Sequence, residues 1–385
     1  MKIFDALRER LRVRSISQNR PRETGALAPG IADTIHAALA AAGLMRNGPV
    51  VRQRDAEWRE ATTPKLAVPG LKPARPGAAP RKQHAIEPGA FLSRAFTDGA
   101  ASLAYKLYVP STYASDGQEV PLIVMLHGCT QSPEDFAAGT RMNQLAEEHG
   151  FLVAYPAQAP RANGSKCWNW FLPGDQRRDE GEPSLIAGIA REVAGAYRID
   201  QRRIFVAGLS AGAAMAVILG TAYPDLFAGV GAHSGLAYGA ANDVPSAFRV
   251  MRDPSAGTGI RSQQDHGCPR QNVGATPTIV FHGDSDSTVD SRNGAAIVAQ
   301  VLSAFSNSPD ALRSFSQTST EGGMSCTRTI YSAGARPIIE EWVLHGAGHA
   351  WSGGSAAGSF TQPDGPDASR EIVRFFLAQQ NPLQI

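Results

Sequence analysis

Hydrophobic and polar positions follow two different regimes along this chain. From residue 91 onward, short apolar runs alternate with stretches whose apolar residues recur every three or four positions. Pro121–Leu126 (PLIVML), Phe151–Tyr155 (FLVAY), Arg203–Ala207 (RIFVA) and Thr278–Phe281 (TIVF) read as strands apolar on both faces. Strands of that type belong to parallel sheets covered by helices on either side. Tyr105–Val109 and Ile338–Leu344 predict two further strands. Helical periodicity occupies Met142–Glu148, Leu185–Tyr197, Gly212–Ala222, Gly294–Phe305 and Ala368–Ala378. The alternation predicts one α/β domain over residues 91–385, a mainly parallel sheet with helices on both faces.

Residues 1–90 read differently. Between Pro49 and Pro88 prolines fall at 49, 64, 69, 73, 76, 80 and 88, a density that packed elements do not tolerate. Residues 48–90 therefore predict an extended, mostly disordered linker. Before it, Met1–Val13 has the spacing of a basic amphipathic helix, with Ile3, Phe4, Leu7 and Leu11 on one face. Ile31–Leu44 is a second, Ala-rich helical candidate.

Charge sharpens that division. The net charge of the 385 residues is +2, but residues 1–90 carry 16 Lys/Arg against 8 Asp/Glu, and the rest carry 21 against 27. A near-neutral total argues against a dedicated nucleic-acid binder. The 43% hydrophobic content supplies a sizeable core. No run of apolar residues is long enough to predict a membrane-spanning helix. For the basic arm three readings stand: a solvated tail, a segment docking to an anionic surface or apolar granule, or a targeting peptide. A secretory signal is not among its patterns, because Asp5, Arg8, Glu9, Arg10, Arg12 and Arg14 interrupt any apolar stretch.

The sharpest chemical signal is Gly208-Leu209-Ser210-Ala211-Gly212, between the strand RIFVA and an apolar helix. A strand–turn–helix corner pushes its central residue out at the carboxyl edge of the sheet, and the flanking glycines prevent a clash with neighbouring backbone. Ser210 is the candidate nucleophile. A serine hydroxyl needs a base, and the base an orienting acid. The strand TIVF runs into HGDSDSTV, where Asp284 and Asp286 both lie within reach of that edge. The spacing Gly283-x-x-Asp286-x-x-Val289 favours Asp286. Two histidines follow, His345 and His349 in HGAGHAW. His345 ends a strand, whereas His349 sits in a glycine-rich turn and is the candidate base. The backbone N–H groups of Ala211 and Cys129, the latter after the strand PLIVML and the pair His127-Gly128, are the candidate oxyanion donors. His127 precedes the serine and reads as a strand-end residue.

These motifs together resemble the polyhydroxybutyrate depolymerase family of α/β-hydrolase esterases. The resemblance rests on LHGCTQ at 126–131, CWNWF at 167–171, RRDEGEP at 177–183, GLSAG at 208–212, HGDSDSTV at 282–289 and GAGHAW at 346–351. It spans roughly residues 95–380 and implies an α/β-hydrolase fold. It also implies an acyl-enzyme esterase with Ser210, Asp286 and His349 as triad, no cofactor and no metal. The implied substrate is poly(3-hydroxybutyrate) or its oligomers. Feruloyl or acetylxylan-type esterase action on acylated polysaccharide or small esters is the alternative. A noncatalytic granule-binding protein is the alternative of another class. Trp168, Trp170 and Trp351 become candidates for substrate contact, with core packing as the competing role. Family resemblance implies an extracellular enzyme, although no secretory signal is visible. A polyester granule joins the surfaces that the arm would dock to.

The cysteines are 129, 167, 268 and 326, without a C-x-x-C pair that would suggest structural zinc. Spacing does not choose among three pairings. Cys268 with Cys326 is the first expectation in an oxidising compartment, and four thiols in a reducing one.

Overall fold

The computed structural model describes residues 89–257, 275–305 and 312–381. The expected helices within residues 1–44 and most of the proline-rich segment lie outside them. Ten strands form one sheet in the order β1-β2-β4-β3-β5-β6-β7-β10-β9-β8. They are β1 (Ala90–Asp98), β2 (Ala101–Val109), β3 (Val120–Leu126), β4 (Leu152–Pro156), β5 (Ile199–Leu209), β6 (Gly229–His233), β7 (Thr278–Gly283), β8 (Leu312–Glu321), β9 (Met324–Ala333) and β10 (Arg336–Leu344). β4, β3, β5, β6, β7 and β10 run parallel. The antiparallel pair β1–β2 extends one side through β4, and β8–β9 extends the other through β10.

The central strands are apolar on both faces because each face meets helices. In β5, Ile204 and Val206 face one core cluster, and Phe205, Ala207 and Leu209 face the other. The helices are α1 (Pro133–Thr140), α2 (Met142–His149), α3 (Gly181–Ala196), α4 (Ala211–Ala222), α5 (Val244–Arg252), α6 (Arg292–Ala304) and α7 (Ala368–Leu377). Ile186 of α3, Met215 of α4 and Ile297 of α6 belong to the first cluster; Phe136 of α1, Leu145 of α2 and Ile372 of α7 belong to the second. Phe376 of α7 stacks on Phe205 with centroids 4.7 Å apart. Such burial is worth about 1.5–3 kcal/mol per large apolar side chain. The fold is the α/β-hydrolase arrangement that the strand–helix alternation and the family resemblance predicted.

Helix α4 shows why its sequence is so poor in large residues. Every position except Thr221 is buried, so it lacks a polar face. A Cβ on Gly220 would lie 2.3 Å from Val230 Cγ2, which only glycine avoids. The two outer hairpins escaped the sequence reading, apart from part of β2. β8 is mostly exposed, with Ser and Thr along it, and lacks the apolar run that marked the central strands.

Candidate active site

Ser210 stands between β5 and α4 with φ 57° and ψ −118°, a region that L-residues rarely adopt. Its N–H donates to the His233 carbonyl at 2.9 Å, which ties the corner to β6. The glycines on either side are required by contact. A Cβ on Gly212 would fall 2.1 Å from the Leu126 carbonyl oxygen, and one on Gly208 would fall 2.4 Å from the Gly212 carbonyl carbon. Helix α4 thus begins directly against the end of β3. That approach places the first amide of α4, Ala211, beside the turn that carries Cys129. As the first helical residue, Ala211 has no helical carbonyl behind it to receive its N–H.

Asp286 follows β7, and His349 follows β10. His349 Nδ1 lies 2.7 Å from Asp286 Oδ2, both side chains being buried. The other oxygen, Oδ1, accepts the N–H groups of Thr288 and Val289, each at 2.9 Å. His282 Nε2 donates to the Val289 carbonyl at 2.9 Å and lies 3.4 Å from Asp286 Oδ2. Burial opposes ionisation of Asp286, but hydrogen bonds and charge from His282 and His349 outweigh it and hold the carboxyl well below its ordinary range. An ionised Asp286 accepts the Nδ1 proton of His349 and leaves its Nε2 as the basic nitrogen.

Asp284 and His345, the rival acid and base in the sequence, pair with each other. His345 Nδ1 is 2.9 Å from Asp284 Oδ2, and its Nε2 is 2.9 Å from Thr327 Oγ1. The Gly346 N–H donates to Asp284 Oδ1 at 2.7 Å. This half-exposed pair joins the loop that carries Asp286 to the loop that carries His349.

One cavity, about 800 Å³ including its mouth, is lined by Ser210, His349, Cys129, Ala211 and Trp170. Apart from Thr288, the other lining side chains among the described residues are apolar. Val244, Ala247, Phe248 and Met251 of α5 all line it, a helical i, i+3, i+4, i+7 stripe. The sequence reading missed this wall. Its signal was present, since Asp243 and Ser246 form a capping box at the start of that stripe. Phe171, Leu236, Val289 and Phe360 complete most of the surface.

The three tryptophans separate. Trp170 lines the cavity, edge-on to Phe171. Trp168 is fully buried, with Nε1 donating to the His127 carbonyl at 3.1 Å. Trp351 is also buried, with Nε1 donating to Ser369 Oγ at 3.0 Å and its ring stacked on His233. Trp168 and Trp351 therefore stand in the core behind the site and not on its wall. Their indole N–H groups are already paired, and their rings brace β3 and β6.

The expected Cys268–Cys326 bridge needs correcting. The disulfide joins Cys129 to Cys167, and Cys326 is a buried thiol 3.6 Å from Ser319 Oγ. Cys268 lies outside the described residues. The reason is tertiary: the loop 157–172 folds back under the end of β3. Thr130 N–H donates to the Ser165 carbonyl at 2.7 Å, bringing positions far apart in sequence together. Glu182 of α3 anchors the same loop, accepting from Asn169 N–H at 2.7 Å and from the side chains of Asn169 and Gln158. His127 completes the support. Its Nδ1 donates to the Gly128 carbonyl at 2.8 Å and its Nε2 accepts the Gln158 N–H at 3.2 Å. Burial lowers it to about 4, which leaves a neutral structural imidazole.

Among the described residues, no group of three or more His, Cys, Asp or Glu side chains is arranged to hold a metal ion. No described helix is long and apolar enough to cross a membrane.

Comparison with known proteins places this arrangement. The model of the family "Esterase PHB depolymerase" matches residues 103–319. The chain belongs to that family. Poly(3-hydroxyalkanoate) depolymerase C of Paucimonas lemoignei is 34% identical over 251 residues, which take in 63% of this chain and 57% of the depolymerase. Acetylxylan esterase A of Talaromyces purpureogenus is 26% identical over 283 residues, 69% of this chain and 71% of that protein. The solved acetyl xylan esterase from Aspergillus awamori shares the fold, with a TM-score of 0.56 at 19% identity, covering 74% of this chain and 99% of that one. The family match ends at residue 319, before His349.

Proposed function

We propose that this family member is a serine esterase that hydrolyses poly(3-hydroxybutyrate) or its oligomers. The observation that carries this reading is the buried Asp286–His349 hydrogen bond, with His349 and the strained Ser210 on one cavity wall. Ser210 Oγ attacks the ester carbonyl while His349 Nε2 takes its proton. Asp286 holds the ring and balances its charge. The N–H groups of Cys129 and Ala211 receive the oxyanion. His349 returns the proton to the departing alcohol, and water then releases the acyl group from Ser210 by the reverse sequence. Trp170 and the α5 stripe contact the acyl chain.

The apolar wall supports an aliphatic acyl group, in line with the relative named a poly(3-hydroxyalkanoate) depolymerase. Relatives named acetylxylan esterases support the second reading, an esterase on acylated polysaccharide. Residues 91–385 form the catalytic domain; the basic excess of residues 1–90, 16 Lys/Arg against 8 Asp/Glu, supports a solvated tail first and docking to an anionic surface or polyester granule second. The Cys129–Cys167 disulfide supports work in an oxidising, extracellular setting. The test is product release from amorphous poly(3-hydroxybutyrate) and from acetylated or feruloylated xylan, with Ser210→Ala as control. Hydroxybutyrate oligomers from the wild type and a loss of at least about 10³-fold in the variant are expected. Turnover of xylan esters alone would overturn the substrate, and an active Ser210→Ala would overturn the mechanism.

A further inference from the structure

A second histidine stands behind the triad acid. His282, near the end of β7, is four residues before Asp286 and only 3% exposed. Its Nε2 donates to the Val289 carbonyl at 2.9 Å and lies 3.4 Å from Asp286 Oδ2. Both oxygens accept, so Nε2 is the nitrogen that carries the proton. The Val289 N–H in turn donates to Asp286 Oδ1 at 2.9 Å, and the Asp286 N–H donates to the Gly283 carbonyl at 3.2 Å. One side chain thus ties the far end of the turn, and the carboxylate oxygen that faces His349, back to β7. The ring is also held by α6. A Cβ on Gly294 would fall 2.9 Å from His282 Nδ1 and 3.1 Å from the His282 Cβ, so only glycine lets the helix approach this closely. Nδ1 is shielded and has no hydrogen-bond partner among the described residues. An apolar side chain would fill the same space without leaving a buried nitrogen unpaired, so packing alone does not account for a histidine here. What the ring adds is the Nε2–H.

We propose that His282 is a positioning residue for the triad acid: its Nε2–H fixes the turn 286–289 and keeps Asp286 Oδ2 directed at His349. This rests on the serine esterase reading above and deepens it. His282 is not among the residues that line the cavity, so it acts through Asp286 and not on the substrate. Without the donor, the Val289 carbonyl loses its partner and the carboxylate is free to rotate away from Nδ1 of His349. A base held in the wrong orientation slows proton transfer, because small misplacements of reacting groups are costly. The cavity wall is untouched by that change, so substrate binding is spared while the chemical step is not.

The test uses the full chain with p-nitrophenyl butyrate and reads kcat and KM separately. His282→Leu, apolar and without a donor, is expected to lower kcat by about 10- to 100-fold while KM stays within about threefold. His282→Gln, whose amide N–H replaces the Nε2–H, should restore kcat to within about fivefold of wild type. In an Asp286→Asn background, His282→Leu should cost less than about threefold more, because residues that act as one unit are not additive. His282→Asn, whose shorter amide lies at the level of Nδ1, serves as the variant without this donor if His282→Leu does not fold. An unchanged kcat in the variant that lacks the donor overturns the proposal. So does a glutamine variant as slow as the leucine one, or a full further loss in the Asp286→Asn background, since either would mark a packing role. Failure of the underlying reading would show separately, as hydrolysis that persists in Ser210→Ala, and would take this proposal with it.

Discussion

Opening the Cys129–Cys167 disulfide should lower both stability and turnover, for separate reasons. The bridge spans 38 residues, and constraining a loop of that size in the unfolded chain is worth about 4 kcal/mol. For a domain of this length each kcal/mol corresponds to about 2–4 °C, so a fall of about 10 °C in Tm is expected. The catalytic effect follows from position. Cys129 carries a proposed oxyanion amide, while Cys167 lies in the loop that brings Trp170 and Phe171 to the cavity. Loss of one oxyanion donor costs about 10²–10³-fold in rate, and loosening that donor should cost at least about tenfold in kcat. The Cys129→Ala/Cys167→Ala double variant retains both backbone amides and is compared with wild type, with and without dithiothreitol. Thermal melts and p-nitrophenyl butyrate kinetics are the assays. A Tm within about 2 °C of wild type would refute the loop-closure argument. An unchanged kcat beside a lowered Tm would refute the coupling of bridge to oxyanion turn.

Further outcomes follow from the two acid–base pairs and from the carboxylate behind the disulfide loop. Asp286→Asn should lose about 10³–10⁴-fold in kcat, because the amide no longer holds the correct tautomer of His349. Asp284→Asn and His345→Gln should lose only about two- to tenfold, through looser loops; equal losses at 284 and 286 would reverse the assignment. Glu182 supplies a pH signature. Burial pushes its carboxyl up to about 7 from 4.5, with nearby Asp175 adding to the rise and the Gln158 and Asn169 donors opposing it. The folded chain then binds this proton more tightly than the unfolded chain, so stability falls as pH rises from 4.5 to about 7 and levels off above. The total is on the order of 3 kcal/mol. Denaturant unfolding of wild type and Glu182→Gln across that window should show the slope in wild type only. A slope in Glu182→Gln of the same size would assign it to other groups.

Local chemistry made much of this protein legible without coordinates. Most central strands show themselves as apolar runs, because both faces of a parallel sheet are covered, but β6, with Gly229 and Gly231, was not read. The corner at Ser210 is readable because a strand, a tight turn and a helix must follow one another in sequence, with glycines where backbones meet. The carboxyl-edge positions of Asp286 and His349 follow from the strands before them. The outer hairpins were less legible, since mostly exposed strands such as β8 carry polar residues on both sides. Glycine spacing favoured Asp286 over Asp284, but only tertiary structure shows how the rivals are disposed. Residues 61 and 63 positions apart meet in two separate pairs, Asp284–His345 and Asp286–His349. The same holds for the disulfide, for the burial of Trp168 and Trp351, and for the wall that α5 lends to the cavity. Sequence by itself determined which groups stand at the edge of the sheet, because each depends on its own strand and turn. Which of them touch, and which face the cavity, was decided only by packing between segments far apart in the chain.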